Sequence, residues 1–177
     1  MGHSNSRLLL LSRYDFPMPG AGRQAHFYGN PADHEPLAWS WVESELLRSG
    51  TYWVVARSSG HPHPRPVWGI WHGDRLYLSI GTPALQRALA DDPVITAHLE
   101  SGTDVVIVEG VVTGSSIDVN VIAAYDKKYD WSYDVSAYGP LVEAAPSKIL
   151  AWRAAGWAGR DSLQRSGMWK FSGSRRG

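Results

Sequence analysis

From Thr51 onward the chain is cut into short apolar runs by turn residues, and this spacing restricts it to a small set of antiparallel folds. Thr51 to Arg57, His63 to Trp71 and Arg75 to Ile80 read as three strands joined by Ser58-Ser59-Gly60 and His72-Gly73-Asp74, a three-stranded meander. A short helix fits Pro83 to Ala90 and stops at Asp92-Pro93, because the residue before a proline is pushed out of the helical region. Val94 to Glu100 and Asp104 to Thr113 follow as strands about the turn Ser101-Gly102. Five strands about one helix predict a barrel.

Ile117 to Tyr129 reads as a further helix, capped by Ser115 or Ser116, with Val121, Ala124, Tyr125 and Lys128 on one side. Ser147 to Arg153 and Met168 to Phe171 complete the strands, and Ala154 to Gly167 between them reads as a Gly-containing loop. Ahead of the meander, a helix fits Pro36 to Ser49: Pro36 suits the first turn, Leu37, Trp41, Leu46 and Leu47 form an apolar stripe, and Gly50 closes it. Residues 1–35 carry Pro17, Pro19, Gly20, Gly22, Gly29, Asn30 and Pro31 with no sustained period and read as an extended arm. The domain proper is then 36–177.

A length of 177 residues with 44% hydrophobic side chains supports one packed core rather than two. Lys and Arg together number 17, as do Asp and Glu, so no basic stripe offers itself to nucleic acid or to an anionic membrane surface. The chain has no cysteine, which excludes disulfides, thiolate metal sites, iron–sulfur clusters and a cysteine nucleophile. Leu8 to Leu11 is too short for a signal-peptide core or a membrane span, and a cytoplasmic protein is expected.

Few motifs carry chemistry. Gly20-Ala21-Gly22-Arg23-Gln24-Ala25 matches a dinucleotide fingerprint in letters, yet Pro17 and Pro19 spoil the strand it needs. His61 and His63, with Glu100 and Asp104, are a weak metal signal, since prolines interleave the histidines at a hairpin entry; no metal site is expected. No G-x-S-x-G elbow, H-E-x-x-H helix or Walker loop occurs. The run Leu78 to Arg87 is more informative: a strand ends in small hydroxyl residues one turn before a helix N-terminus. Free N–H groups, the helix dipole, the Ser79 and Thr82 hydroxyls and the Arg87 guanidinium can cradle an anion there; a plainly capped helix with Arg87 in solvent is an equal alternative. Nine tryptophans, with Trp53, Trp68, Trp71 and Trp169 on predicted strands, supply flat walls for a planar cofactor or simply packing.

The order of these segments resembles a known family. Tyr52-Trp53, His61 to Trp68, Leu76 to Ser79 and Gly81 resemble the opening strands of pyridoxamine 5′-phosphate oxidase-like proteins. Asp91-Asp92-Pro93, His98 to Gly102, Asp104 to Gly110, Ala124 to Tyr129, Leu150-Ala151-Trp152 and Met168 to Phe171 resemble its flavin/deazaflavin oxidoreductase branch. The resemblance spans about Ser49 to Phe171. It implies a mainly β fold with flanking helices, an antiparallel FMN-binding split barrel of six to seven strands. It also implies a homodimer whose clefts between subunits hold FMN or coenzyme F420. The family's phosphate-binding stretch falls on Ser79, Gly81, Thr82, Gln86 and Arg87, and its ring-contacting strand on Arg65, Val67 and Trp68. Family members often carry a lysine in the phosphate helix; this chain has Leu85-Gln86-Arg87-Ala88, with Arg87 in the place of that charge.

The expected activity is hydride transfer between a flavin or deazaflavin and an unidentified small organic substrate, with the protein supplying binding, orientation and exclusion of water. No catalytic side chain is assigned; Tyr125, Lys128 and Trp71 are candidates to line a substrate pocket, and Trp169 is expected to face the cofactor cleft. The alternative is a non-catalytic carrier of a flavin, deazaflavin or tetrapyrrole, with His61, His63 or His98 as a haem ligand.

Overall fold

The computed structural model describes residues 37–58, 60–154 and 163–171. The arm expected at 1–35 lies outside them. Among the described residues the elements run α1 (Trp39–Arg48), β1 (Tyr52–Ser58), β2 (His61–His72), β3 (Arg75–Ser79), α2 (Pro83–Asp91), β4 (Val94–His98), β5 (Asp104–Ser116), α3 (Val119–Tyr129), α4 (Val135–Tyr138), β6 (Leu141–Ala154) and β7 (Leu163–Lys170). The strands lie in the order β3-β2-β1-β4-β5-β6-β7, all antiparallel, and β3 also pairs with β6. Six strands thus close into a barrel, and β7 is an addition to it.

β6 explains how one strand serves both. One of its edges follows β5 from Leu141↔Ser116 to Arg153↔Asp104. The other edge is divided: Val142 to Ala144 meet β3, and Lys148 to Ala154 meet β7. The sequence reading starts this strand only at Ser147, and the stretch it omits is the one that closes the barrel. Glu143, two alanines and Pro146 carry little strand signal, and the pairing shifts register beside Gly110. There a Cβ on Gly110 would stand 2.5 Å from the Ala145 carbonyl oxygen, so only glycine fits.

Other boundaries differ for local reasons. Leu163 to Gly167, expected to be loop, belongs to β7. Ser115 and Ser116 end β5, and α3 is capped by Asp118, whose carboxylate accepts from Asn120 N at 2.7 Å and Val121 N at 3.4 Å. The four-residue α4, capped by Asp134, was not anticipated.

Inward-facing alternation builds the core: Tyr52, Val54 and Ala56 of β1 meet Leu76, Leu78, Ile95, Ala97, Val106, Val108, Ile149 and Ala151. From α1, Val42 and Leu46 close one side, whereas Leu47, placed by the sequence in the apolar stripe, is exposed. From α2 come Leu85, Ala88 and Leu89. A second, smaller cluster unites Ile70 and Tyr77 with Val121, Tyr125, Tyr133 and Leu141 and seats α3 against β2 and β3.

Candidate functional site

The cleft arises where β2 and β3 part. Leu99 N donates to Val106 O, so odd-numbered residues of β4 aim their backbone groups at β5 and even-numbered ones at β1. In the register Trp53↔His98 and Val55↔Thr96, Trp53 and Val55 therefore bond to β4, and Tyr52, Val54 and Ala56 bond to β2 at Val67, Arg65 and His63. The nitrogens of Pro62, Pro64 and Pro66 fall on the opposite edge of β2, where no ladder bond to β1 is lost. This is why β2 starts at His61 despite its prolines. β3 covers that edge only from Ser79↔Trp68 onward. Past Ser79 the chain leaves for α2, and Pro66 and Gly81, next in register, face each other across a gap.

That gap is a cleft of about 270 Å³ lined by Arg65, Pro66, Val67, Trp68, Ser79, Gly81, Thr82 and Tyr125. Its two sides differ in chemistry. On the α2 side Thr82 is the N-cap residue, yet its hydroxyl makes no capping bond, and Pro83 occupies the first turn. The amides of that turn are left for a ligand or water. A Cβ on Gly81 would meet nothing within 4 Å, so the approach is open. On the β2 side the Arg65 guanidinium donates to Pro64 O at 2.7 Å. Trp68 is 50% exposed, a large flat surface turned toward solvent.

Behind Trp68 lies an aromatic and polar support. The Tyr129 ring stacks on it at 4.9 Å with an 8° interplanar angle. β1 does not extend far enough to bond Gly69, so α3 completes the ladder with side chains. Tyr129 Oη accepts from Gly69 N at 2.9 Å and lies within donating distance of Gly69 O and Gly50 O, while Lys128 Nζ donates to Gly69 O at 2.8 Å and Tyr52 Oη at 3.3 Å. Gly69 itself is required, because a Cβ would stand 2.5 Å from Tyr77 O. Burial pulls the Lys128 ammonium down to about 8, and rings of Tyr52 and Tyr129 lie under it at 4.9 and 5.4 Å. Burial pushes the Tyr125 phenol up to about 12, partly offset by its hydrogen bond with Ser79. Tyr125 therefore holds its proton at the cleft wall at any ordinary pH.

Of the residues singled out by sequence, Arg65, Val67, Trp68, Ser79, Gly81 and Thr82 come together at this cleft. Gln86 and Arg87 do not line it: Gln86 Nε2 donates to Ile80 O at 2.8 Å and ties α2 to the end of β3, and Arg87 is exposed on the helix. Trp169 requires a correction. It is paired with Ile149, shares that residue's inward face and is 2% exposed, with Trp39 edge-on at 5.5 Å. It fills the barrel rather than facing the cleft. Trp71 is likewise core, 3% exposed, and Lys128 lies behind the cleft wall. Pro66 was not among the sequence candidates; its place on the lining follows from β3 stopping short, which strand patterns do not reveal. His98 stacks on Trp53 at 6.3 Å, and its Nδ1 lies 2.9 Å from Leu99 O.

No protein-family model matches the chain, and no curated protein matches its sequence. Its backbone is similar to solved structures at low identity. An F420 reductase matches at 18% identity over 60% of this chain and 94% of that one, with a TM-score of 0.52. A conserved hypothetical protein from Mycobacterium tuberculosis matches at 16% over 78% and 88%, with a TM-score of 0.55. An FAD-binding protein from Mesorhizobium loti matches at 13% over 76% and 96%, with a TM-score of 0.50. With six strands closed, a seventh added along β6 and these structural relatives, the chain has the split-barrel fold of the pyridoxamine 5′-phosphate oxidase-like proteins.

Proposed function

We propose that the chain is an oxidoreductase that binds a phosphorylated flavin or deazaflavin in the β2–β3 cleft and serves a small organic substrate. The observation that carries this reading is the convergence of a flat, half-exposed Trp68 and an uncapped helix start at Thr82 on one gap. The donor set fits the group. Gly81 and Thr82, with the free amides of α2, hold a phosphate; Arg65 adds a positive charge; Val67 and Trp68 present the surface for a planar ring. Such a cofactor supplies the hydride chemistry when bound. The chain's part is to orient it, to keep water from its face and to hold a proton on Tyr125 Oη, beside Ser79.

A cleft of about 270 Å³ falls just under the usual range for small-molecule sites, roughly 300–1,000 Å³. A second copy of the chain is the partner that would complete its open side, as a homodimer. Titration of FMN against riboflavin, followed by ligand fluorescence, tests the reading. FMN is expected to bind more tightly, and Thr82→Val to weaken FMN by roughly tenfold while leaving riboflavin unchanged. Equal losses for both ligands would place the phosphate elsewhere.

A further inference from the structure

The two walls of the cleft are opposite in polarity. On the β2 side the backbone offers acceptors only: Pro62, Pro64 and Pro66 aim carbonyls at the open edge with no N–H beside them. Arg65 answers part of that surplus by donating to Pro64 O. Pro66 lines the cleft, and β3 supplies no partner opposite it. On the other side stand the Thr82 hydroxyl, open backbone at Gly81 and the first amides of α2. A ligand that spans the gap meets backbone donors at one end and, beside the Arg65 guanidinium, backbone acceptors at the other.

We infer that this polarity selects the ring, and that Pro66 makes the cleft prefer a 5-deazaflavin over a flavin. The inference rests on the cofactor reading proposed above. In the tricyclic ring the ribityl chain leaves N10, and position 5 stands on the opposite edge of the same central ring. With the phosphate on Thr82 and α2, position 5 turns toward β2. An oxidised flavin carries a nitrogen lone pair there, and at Pro66 it meets a carbonyl oxygen, so two acceptors face each other. A 5-deazaflavin carries a C–H at that position, which a carbonyl accepts as a weak hydrogen bond. The difference is that of an acceptor left without a donor, roughly five- to hundredfold in affinity.

Oxidised FMN and oxidised 5-deaza-FMN, which differ at this one ring position, are titrated in parallel into the full chain and followed by calorimetry. The wild type is expected to bind 5-deaza-FMN at least about fivefold more tightly. Pro66→Ala, which restores an N–H at that edge, is expected to narrow or reverse the ratio, whereas Pro62→Ala leaves it unchanged; thermal melting reports whether each variant folds. Equal wild-type affinities, or a ratio indifferent to Pro66→Ala in a folded variant, would overturn the role of Pro66 with the cofactor site intact. If neither ring binds, the cofactor reading falls and this inference with it.

Discussion

Lys128 is a charge kept where burial disfavours it. Its ammonium finds carbonyl, hydroxyl and ring partners at Gly69, Tyr52 and Tyr129, and forms no ion pair among the described residues. Its folded pKa, about 8, is below its ordinary 10.5, so the unfolded chain binds the extra proton between those values. Stability should rise as pH climbs from about 8 toward 10. Above 10.0 the buried phenols of Tyr52 and Tyr125, raised in the fold, turn the trend downward. Urea midpoints measured from pH 7 to 10 should climb in the wild type and stay flat in Lys128→Met; a climb in both would assign the effect to another group. Trp169 shows what alternation leaves open at this scale. The order Met168, Trp169, Lys170, Phe171 defines two faces of a strand, but only pairing with Ile149 says which of them is inside. Trp169→Leu should cost about 2–4 kcal/mol and lower the melting temperature by roughly 5–15 °C, with FMN affinity unchanged. A loss of affinity without a loss of stability would return Trp169 to the cleft.

At the level of elements, the strands bounded by turn residues were legible, β2 with its three prolines included, whereas the first half of β6 and the start of β7 were not. β1, β3, β4 and α2 follow the sequence reading to within a residue or two, because turn residues bound them on both sides. The first half of β6 was missed because its pairing with β3 and β5, not its own composition, makes it a strand. Of the six cleft residues, Ser79, Gly81 and Thr82 were legible where a strand ends and a helix begins, a junction with a recognisable signature, whereas Arg65, Val67 and Trp68, inside β2, were reached only through the family resemblance. The gap itself was not, since it depends on β3 ending two residues short of Pro66. Gly110 marks where β5 and β6 approach too closely for a side chain. Gly110→Ala should destabilise by about 1–3 kcal/mol, read as a lowered denaturation midpoint at unchanged slope. The same change at Gly81, with open space around it, should leave that midpoint in place.

For the molecule as a whole, the open side of the cleft and the half-exposed Trp68 set the expectation for assembly. Sedimentation at micromolar concentration should give a homodimer, and Trp68→Lys should shift it toward monomer. A monomer that binds FMN as tightly as the wild type would show that one chain builds the whole site. The barrel's seams are also unequal. β6 holds β5 through twelve paired residues but holds β3 through three, Leu76 to Leu78 against Val142 to Ala144. Local opening begins where the fewest bonds must break together, so of the two barrel seams made by β6 the one with β3 is the natural place to breathe. That place lies on the strand whose far end forms the cleft. Amide hydrogen exchange should therefore be faster along the β3–β6 seam than along the β5–β6 ladder, with Val106 and Ile149 far slower. A ligand bridging β2 to α2 should slow that seam without touching it, which would make motion at the closure a gauge of occupancy in the cleft.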